Sequence, residues 1–302
     1  ENQHKRAHQR HDVSLFGHLV TMDASVSVRI VNLSLGGAMV MLFMRGHSSL
    51  GDQVKALSIE KFGKMAEDWW NPDGPFKPLH ALNPLRIQFI RDQLIQHFQR
   101  GDPLKPTPLR GLTMLDIGCG GGLLCEPMTR LGAMVTGVDA ADRNIDIART
   151  HAQRMELSID YRCAAAEDLA AEGLAFDVVL NMEVVEHVAE VDLFLNAAAR
   201  LVRPGGLMIV ATLNRTAKSY ALAIVGAEYI MRWLPVGTHD WRKFVRPSEL
   251  ARSLRTANMK IETLTGLTYN PLKETWSLNE RDLDVNYIAT AIRTNRLPAL
   301  FK

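Results

Sequence analysis

Residues 181–188 read NMEVVEHV, directly after the apolar run FDVVL at 176–180. Glu183, Glu186 and His187 therefore follow a segment suited to a core. On a helix they would stand at i, i+3 and i+4 and share one face. Such a trio has two chemical uses. His187 can serve as a general base near neutral pH. Alternatively, Glu183, Glu186 and His187 together offer ligands to a divalent cation. A purely structural reading makes the glutamates first-turn caps and His187 a packed side chain.

A second chemical feature lies upstream, in MLDIGCGGGLL at 114–124. Gly118, Gly120 and Gly122 allow a sharp turn and close approach of a ligand to the backbone. The helix that follows points free N–H groups at the same place, which favours an anionic group. Asp139 ends the next apolar run, where an acid can accept both hydroxyls of a ribose. The loop departs from the dinucleotide spacing GxGxxG, because Leu123 stands where the last glycine would fall. Alone it is equally well a tight structural turn; Asp116 before it and Asp139 after it favour ligand binding.

The elements that must position these groups are legible as an alternation. Strands are expected at 112–117, 133–140, 159–164, 176–182 and 207–213, and helices at 123–131, 143–155 and 192–202. This order implies right-handed βαβ crossovers and a parallel sheet with helices on both faces. Runs at 259–269 and 285–293 would add closing strands. Asn83-Pro84 has the form of a helix N-cap followed by proline at the first helical position. The apolar residues Ile87, Ile90, Leu94 and Phe98 then recur at helical spacing. The segment 101–111, GDPLKPTPLRG, is a proline-broken linker.

The glycine loop with Asp139 resembles the first two motifs of class I methyltransferases, and Arg203-Pro204-Gly205-Gly206 resembles their turn before the fifth strand. The resemblance implies an α/β, Rossmann-like, mostly parallel seven-stranded sheet and S-adenosylmethionine as cofactor. A narrower likeness is carried by DWWNPDGPFKPLHALNPLR (68–86), MEVVEHV (182–188), TLNRTAKSYALAIVGAEYI (212–230), LPVGTHDWRKF (234–244), GLTYNP (266–271) and DVNY (284–287). These stretches resemble the ubiquinone biosynthesis O-methyltransferase family, over most of the chain from about Ser58 onward. The resemblance implies two O-methylations, of a polyprenyl catechol-type precursor and of a late demethylubiquinol intermediate. It also implies that Arg86, Gly118, Asp139 and Met182 contact the cofactor. Arg86 suits the methionyl carboxylate, Asp139 the ribose, and Met182 the adenine and the methyl site; Gly120 belongs to the same loop. Many class I enzymes carry an acid for the adenine after the third strand; in CAAAEDL (163–169) alanines precede Glu167, which leaves adenine recognition open, with backbone groups near Ala166 as one candidate. A phenol titrates at about 10, so methyl transfer to one at neutral pH calls for a base or a metal. His187, Glu183 and Glu186 are the catalytic candidates, and likeness to eukaryotic relatives supports Mg2+.

The apolar stretch SYALAIVGAEYIMRWLP (219–235) interrupts the alternation, with Lys218, Arg232, Arg242, Lys243 and Arg246 around it. It is too short and too charged to span a bilayer. It reads either as an interfacial segment on a membrane surface, suited to a polyprenyl substrate, or as a cap over the site. Before residue 58, the runs at 13–20, 25–31 and 38–44 read as a small β-rich unit. There Arg6-Ala7-His8-Gln9-Arg10 and Asn32-Leu33-Ser34-Leu35-Gly36-Gly37 resemble the two motifs of PilZ domains. That likeness implies cyclic di-GMP at Arg6, Arg10, Asn32, Ser34 and Gly37, on what is only a partial, PilZ-like barrel. The expected domains are 1–57, this segment, and 58–302, a methyltransferase. The latter divides into a helical cap and linker (58–110), a cofactor-binding core (111–213), the insertion (214–246) and the end of the sheet (247–302).

Composition sets the outer bounds. With 47% hydrophobic residues among 302, a full core can be buried. A formal net charge of +2 disfavours a nucleic-acid binder. Three cysteines without zinc spacing read as thiols in a reducing compartment. The charged start has no apolar run behind it, so no signal peptide is expected and a cytoplasmic location is. Two alternatives stand beside the main reading. One is a C- or O-methyltransferase outside the quinone pathway; the other is a cyclic di-GMP-responsive protein that has lost catalysis.

Overall fold

The computed structural model describes residues 67, 69–102, 105–230, 237, 239–271 and 273–294, together with strand backbone at 14–20, 25–31 and 42–43. The chain divides into two compact units, Glu1–Glu60 and Lys61–Lys302. The first holds a three-stranded antiparallel sheet of β1 (Ser14–Val20), β2 (Ser25–Val31) and β3 (Leu42–Phe43). β1 and β2 pair in register from Ser14↔Val31 to Val20↔Ser25. The residues expected to bind cyclic di-GMP are Arg6, Arg10, Asn32, Ser34 and Gly37. Apart from the strand backbone, that unit lies outside the described residues, and so do all five of these.

The second unit is built on an eight-stranded sheet. Its parallel part comprises β4 (Thr113–Ile117), β5 (Met134–Asp139), β6 (Asp160–Cys163), β7 (Phe176–Met182) and β8 (Val202–Leu213). β9 (Met259–Asn270), β10 (Thr275–Asn279) and β11 (Asn286–Arg293) run antiparallel at one side. The spatial order is β10-β9-β11-β8-β7-β4-β5-β6. The expected seven strands thus acquire an eighth, β10, which folds back on β9 as an edge. Its sequence, TWSLN, is mostly exposed and offers no long apolar pattern, so sequence periodicity could not reveal it.

From β4 the chain winds to β5 and β6 on one side, then to β7 and β8 on the other. The order reverses between β4 and β7, and that switch point opens a crevice at the strands' carboxyl ends. Val178, Val179 and Leu180 of β7 are fully buried, as a central strand covered on both faces requires. One apolar cluster packs α1 (Lys77–His97), α2 (Cys125–Arg130) and α3 (Asp142–Arg154) on one face. The other packs α4 (Ala166–Ala171), α5 (Val191–Arg200) and α6 (Pro247–Thr256) on the opposite face.

Two local expectations are corrected. Helix α1 begins at Lys77, with Pro78 in its first turn, and Pro84 lies inside it. Asn83 is therefore no cap; its amide donates instead to the Leu123 carbonyl at 2.8 Å, tying α1 to the glycine loop. Nor do residues 183–187 form a helical face. Glu183 adopts φ +58°, a left-handed conformation, and only Val185–His187 make a single 3-10 turn. The break at Glu183 removes the shared helical face.

Candidate active site

Gly118, Gly120 and Gly122 have φ values of +70°, +53° and +91°, a run that L side chains rarely adopt. The loop is held by the Gly118 and Cys119 amides, which donate to Val138 at 2.8 and 3.0 Å. Asp139 accepts from the Gly120 amide (3.1 Å), the Ala141 amide (2.9 Å) and Asn144 Nδ2 (3.2 Å). The expected ribose acid therefore stands against the glycine loop. Beneath the loop, burial pushes the Asp116 carboxyl up to about 7, and the Cys125 thiol donates to it at 3.2 Å.

The segment before α1 covers this cradle. A Cβ added to Gly121 would lie 2.3 Å from the Trp69 ring, and one on Gly120 2.6 Å from it. Trp70 Nε1 donates to the Gly121 carbonyl at 3.0 Å. Its indole stacks on His151, with centroids 3.8 Å apart and planes 4° apart. His151 Nδ1 in turn meets the buried Glu126 at 2.5 Å. Trp69 Nε1 is buried without a partner. Neither tryptophan nor Asn83 was singled out from sequence for a role at the loop. The signal was present in DWWNPDG, because paired indoles beside a proline-rich turn have both area and donors to offer.

Arg86 and Glu183 are brought together. Arg86 is buried on α1, and its Nη2 donates to Glu183 Oε1 at 2.5 Å. Its Nε is buried without a partner. A buried guanidinium with an unused donor at the mouth of a glycine loop fits an anionic ligand group. Met182 is also buried, in the cluster that carries α1.

Glu186 points inward. Thr212 Oγ1 donates to its Oε2 at 2.7 Å, while Oε1 is buried without a partner. Burial, reinforced by the neighbouring Glu183 carboxylate, raises its pKa well above the usual carboxylate range. A neutral Glu186 can then donate its proton toward Glu183. His187 keeps an exposed edge, but the groups packed round it pull its pKa below 6.5. Burial is the main cause, followed by His239, while Glu183 pulls the other way. That direction favours the uncharged imidazole, which carries a lone pair.

The cation reading fits this arrangement poorly. Glu183 is engaged by Arg86, and Glu186 accepts from Thr212 in a buried place that disfavours its charge. Among the described residues no group of three or more His, Cys, Asp or Glu is placed to hold a metal ion.

The insertion adds residues that were quoted in sequence motifs but given no chemistry. After a helical turn at Ala217–Ser219, residues Tyr220–Ile230 wind as a π-helix. The buried Glu228 near its end contacts His239, whose ring centroid is 6.0 Å from that of His187. Arg232 and Trp233 lie outside the described residues.

A methyltransferase domain family model matches residues 115–210, from β4 through most of β8. A ubiquinone biosynthesis O-methyltransferase of Brucella anthropi is 55% identical over 240 residues, 80% of this chain and 96% of that protein. One from Cereibacter sphaeroides is 57% identical over 240 residues, 80% of this chain and 97% of its own. Among solved structures, the magnesium protoporphyrin IX methyltransferase of Synechocystis with bound S-adenosylhomocysteine superposes with a TM-score of 0.54 at 17% identity. That match covers 82% of this chain and all of the other, and it supports the class I methyltransferase fold. The glycine cradle, Asp139 and Arg86 fit S-adenosylmethionine, and the chain belongs to the ubiquinone biosynthesis O-methyltransferase family.

Proposed function

We propose that this methyltransferase acts on phenolic hydroxyls of polyprenylated catechol and hydroquinone intermediates, at the two O-methylation steps of ubiquinone synthesis. The observation that carries the reading is His187 in the turn after β7, with its pKa lowered by burial, in a chain 55% identical to a named relative. Bound S-adenosylmethionine supplies an electrophilic methyl on sulfonium sulfur. The chain's own residues do the rest. Arg86 holds the methionyl carboxylate with its spare donor. Asp139 takes the ribose hydroxyls, Gly118 and Gly120 admit the backbone close to the ligand, and Met182 lies by the methyl site. Backbone groups near Ala166 serve the adenine. His187 accepts the acceptor hydroxyl's proton, so a phenolate meets the methyl. Glu183 orients Arg86, and Glu186 supports Glu183 as a neutral donor.

The test is methyl transfer from labelled S-adenosylmethionine to a short-chain demethylubiquinol analogue, with and without chelator and Mg2+. Turnover with the chelator present supports His187 as base. Turnover that vanishes with chelator and returns with Mg2+ overturns the base and assigns Glu183, Glu186 and His187 to a cation.

Access from a membrane surface belongs to the same proposal. Tyr220, Leu222, Val225 and Tyr229 are exposed on the π-wound segment, and Arg242, Lys243 and Arg246 are exposed further along the chain. Apolar side chains with basic neighbours suit an anionic lipid interface and a polyprenyl tail partitioned into it. No helix among the described residues is long and apolar enough to cross a membrane.

A further inference from the structure

Glu228 is 1% exposed in a segment otherwise made of apolar residues. A carboxylate placed there must be fully hydrogen-bonded. Its Oε2 accepts from the Gly237 amide at 2.7 Å. Its Oε1 accepts from the His239 amide and from His239 Nδ1, both at 3.0 Å. A carboxylate with these partners is an acceptor, so the neutral form of His239 carries its proton on Nδ1 and leaves a lone pair at Nε2. No described residue hydrogen-bonds that Nε2. The ring's centroid is 6.0 Å from that of His187, with planes 29° apart, and 5.8 Å from that of Phe244, with planes 76° apart. Glu228 therefore does for His239 what an orienting carboxylate does for a working histidine: it fixes the tautomer and the ring direction.

A clasp that only closed the insertion would need no imidazole. The two backbone amides already satisfy one oxygen each of Glu228. The additional ring bond leaves Nε2 as an unused acceptor on a ring whose centroid is 6.0 Å from that of His187. We propose that His239, held by Glu228, determines acceptor specificity. Its Nε2 accepts a hydrogen bond from the hydroxyl adjacent to the one that His187 deprotonates. The site then selects aromatic rings with two neighbouring hydroxyls over rings with one. This rests on the O-methyltransferase reading with His187 as base.

The experiment measures kcat/KM for a short-chain catechol acceptor and for the same ring lacking the second hydroxyl. It uses the full chain, as wild type, His239→Phe, His239→Gln and Glu228→Gln, with S-adenosylmethionine affinity measured for each. A site built to bond a hydroxyl rejects the analogue without it strongly, so wild type should prefer the catechol by at least about a hundredfold. His239→Phe should lower that preference by about tenfold to a hundredfold. His239→Gln, which keeps an acceptor oxygen, should retain more of it. Glu228→Gln, which no longer fixes the tautomer, should fall between wild type and His239→Phe. Cofactor affinity should stay within about threefold throughout. Equal loss on both acceptors, or an unchanged preference in His239→Phe, overturns the proposal. Wild type inactive on both acceptors instead overturns the reading on which it rests.

Discussion

At the scale of single residues, the proposed roles of Arg86, Glu183, Glu186 and His187 differ by charge. In the proposed role, Arg86 gives the cofactor charge-assisted hydrogen bonds, and removing it also leaves Glu183 without its observed partner. Such bonds are worth about 1.5–3 kcal/mol, so Arg86→Met should weaken S-adenosylmethionine binding by about tenfold to a hundredfold in calorimetry. Because the His187 pKa lies below 6.5, the acidic limb of kcat/KM against pH should have its midpoint below that value. His187→Gln should abolish the limb and most of the rate. Glu186 predicts a stability effect of opposite sense. Its pKa is raised above 4.5 in the folded state, so the stability linked to its proton is fully present below 4.5. That contribution is lost as pH rises toward the folded value. Glu186→Gln does not titrate, so its melting temperature relative to wild type should climb as pH is raised above about 4.5. A difference that stays flat from pH 4 to pH 8 would contradict the buried, protonated state.

At the scale of elements, the site is a strand-end device. Gly118 closes β4 and Glu183 leaves β7, and these strands are neighbours with Ile117 opposite Asn181. A methyl group at Gly118 would approach Val184 Cγ2 to 2.4 Å on a backbone at φ +70°. Gly118→Ala should therefore destabilise by about 1–3 kcal/mol in denaturant titration and impair cofactor binding. Much of this frame was legible in sequence. The apolar runs of β4, β5, β7 and β8 are continuous because both faces of a parallel sheet are covered. The glycines and Asp139 mark strand ends by their chemistry. The turn at 183–187 was not legible: EVVEH has helical spacing, and nothing local signals that Glu183 will turn left-handed. That conformation is fixed by partners distant in sequence, Arg86 on the side chain and Ala211 on the amide. Asn83-Pro84 misled for a similar reason, since the earlier Pro78 opens the helix and Asn83 is held by Leu123. The Glu228–His239 contact spans 11 residues, and neither side chain by itself announces the other.

At the scale of the whole molecule, the methyltransferase unit presents an apolar insertion to solvent and a cofactor crevice at the carboxyl ends of its strands. The membrane proposal predicts that Leu222→Ser with Tyr229→Ser reduces co-sedimentation with anionic liposomes several-fold. It should raise KM for a long-tailed acceptor while leaving KM for a short-tailed one within about twofold, because only the tail needs the interface. Unchanged liposome binding would count against it. The family assignment and the proposed role of His187 concern one reaction. Its most direct test is transfer of label from S-adenosylmethionine to a short-chain demethylubiquinol analogue by the full chain, compared with His187→Gln. The account predicts a labelled methyl ether on the ring oxygen with wild type and a loss of at least about a hundredfold in the variant. Label on ring carbon, or equal turnover by the two proteins, would contradict it.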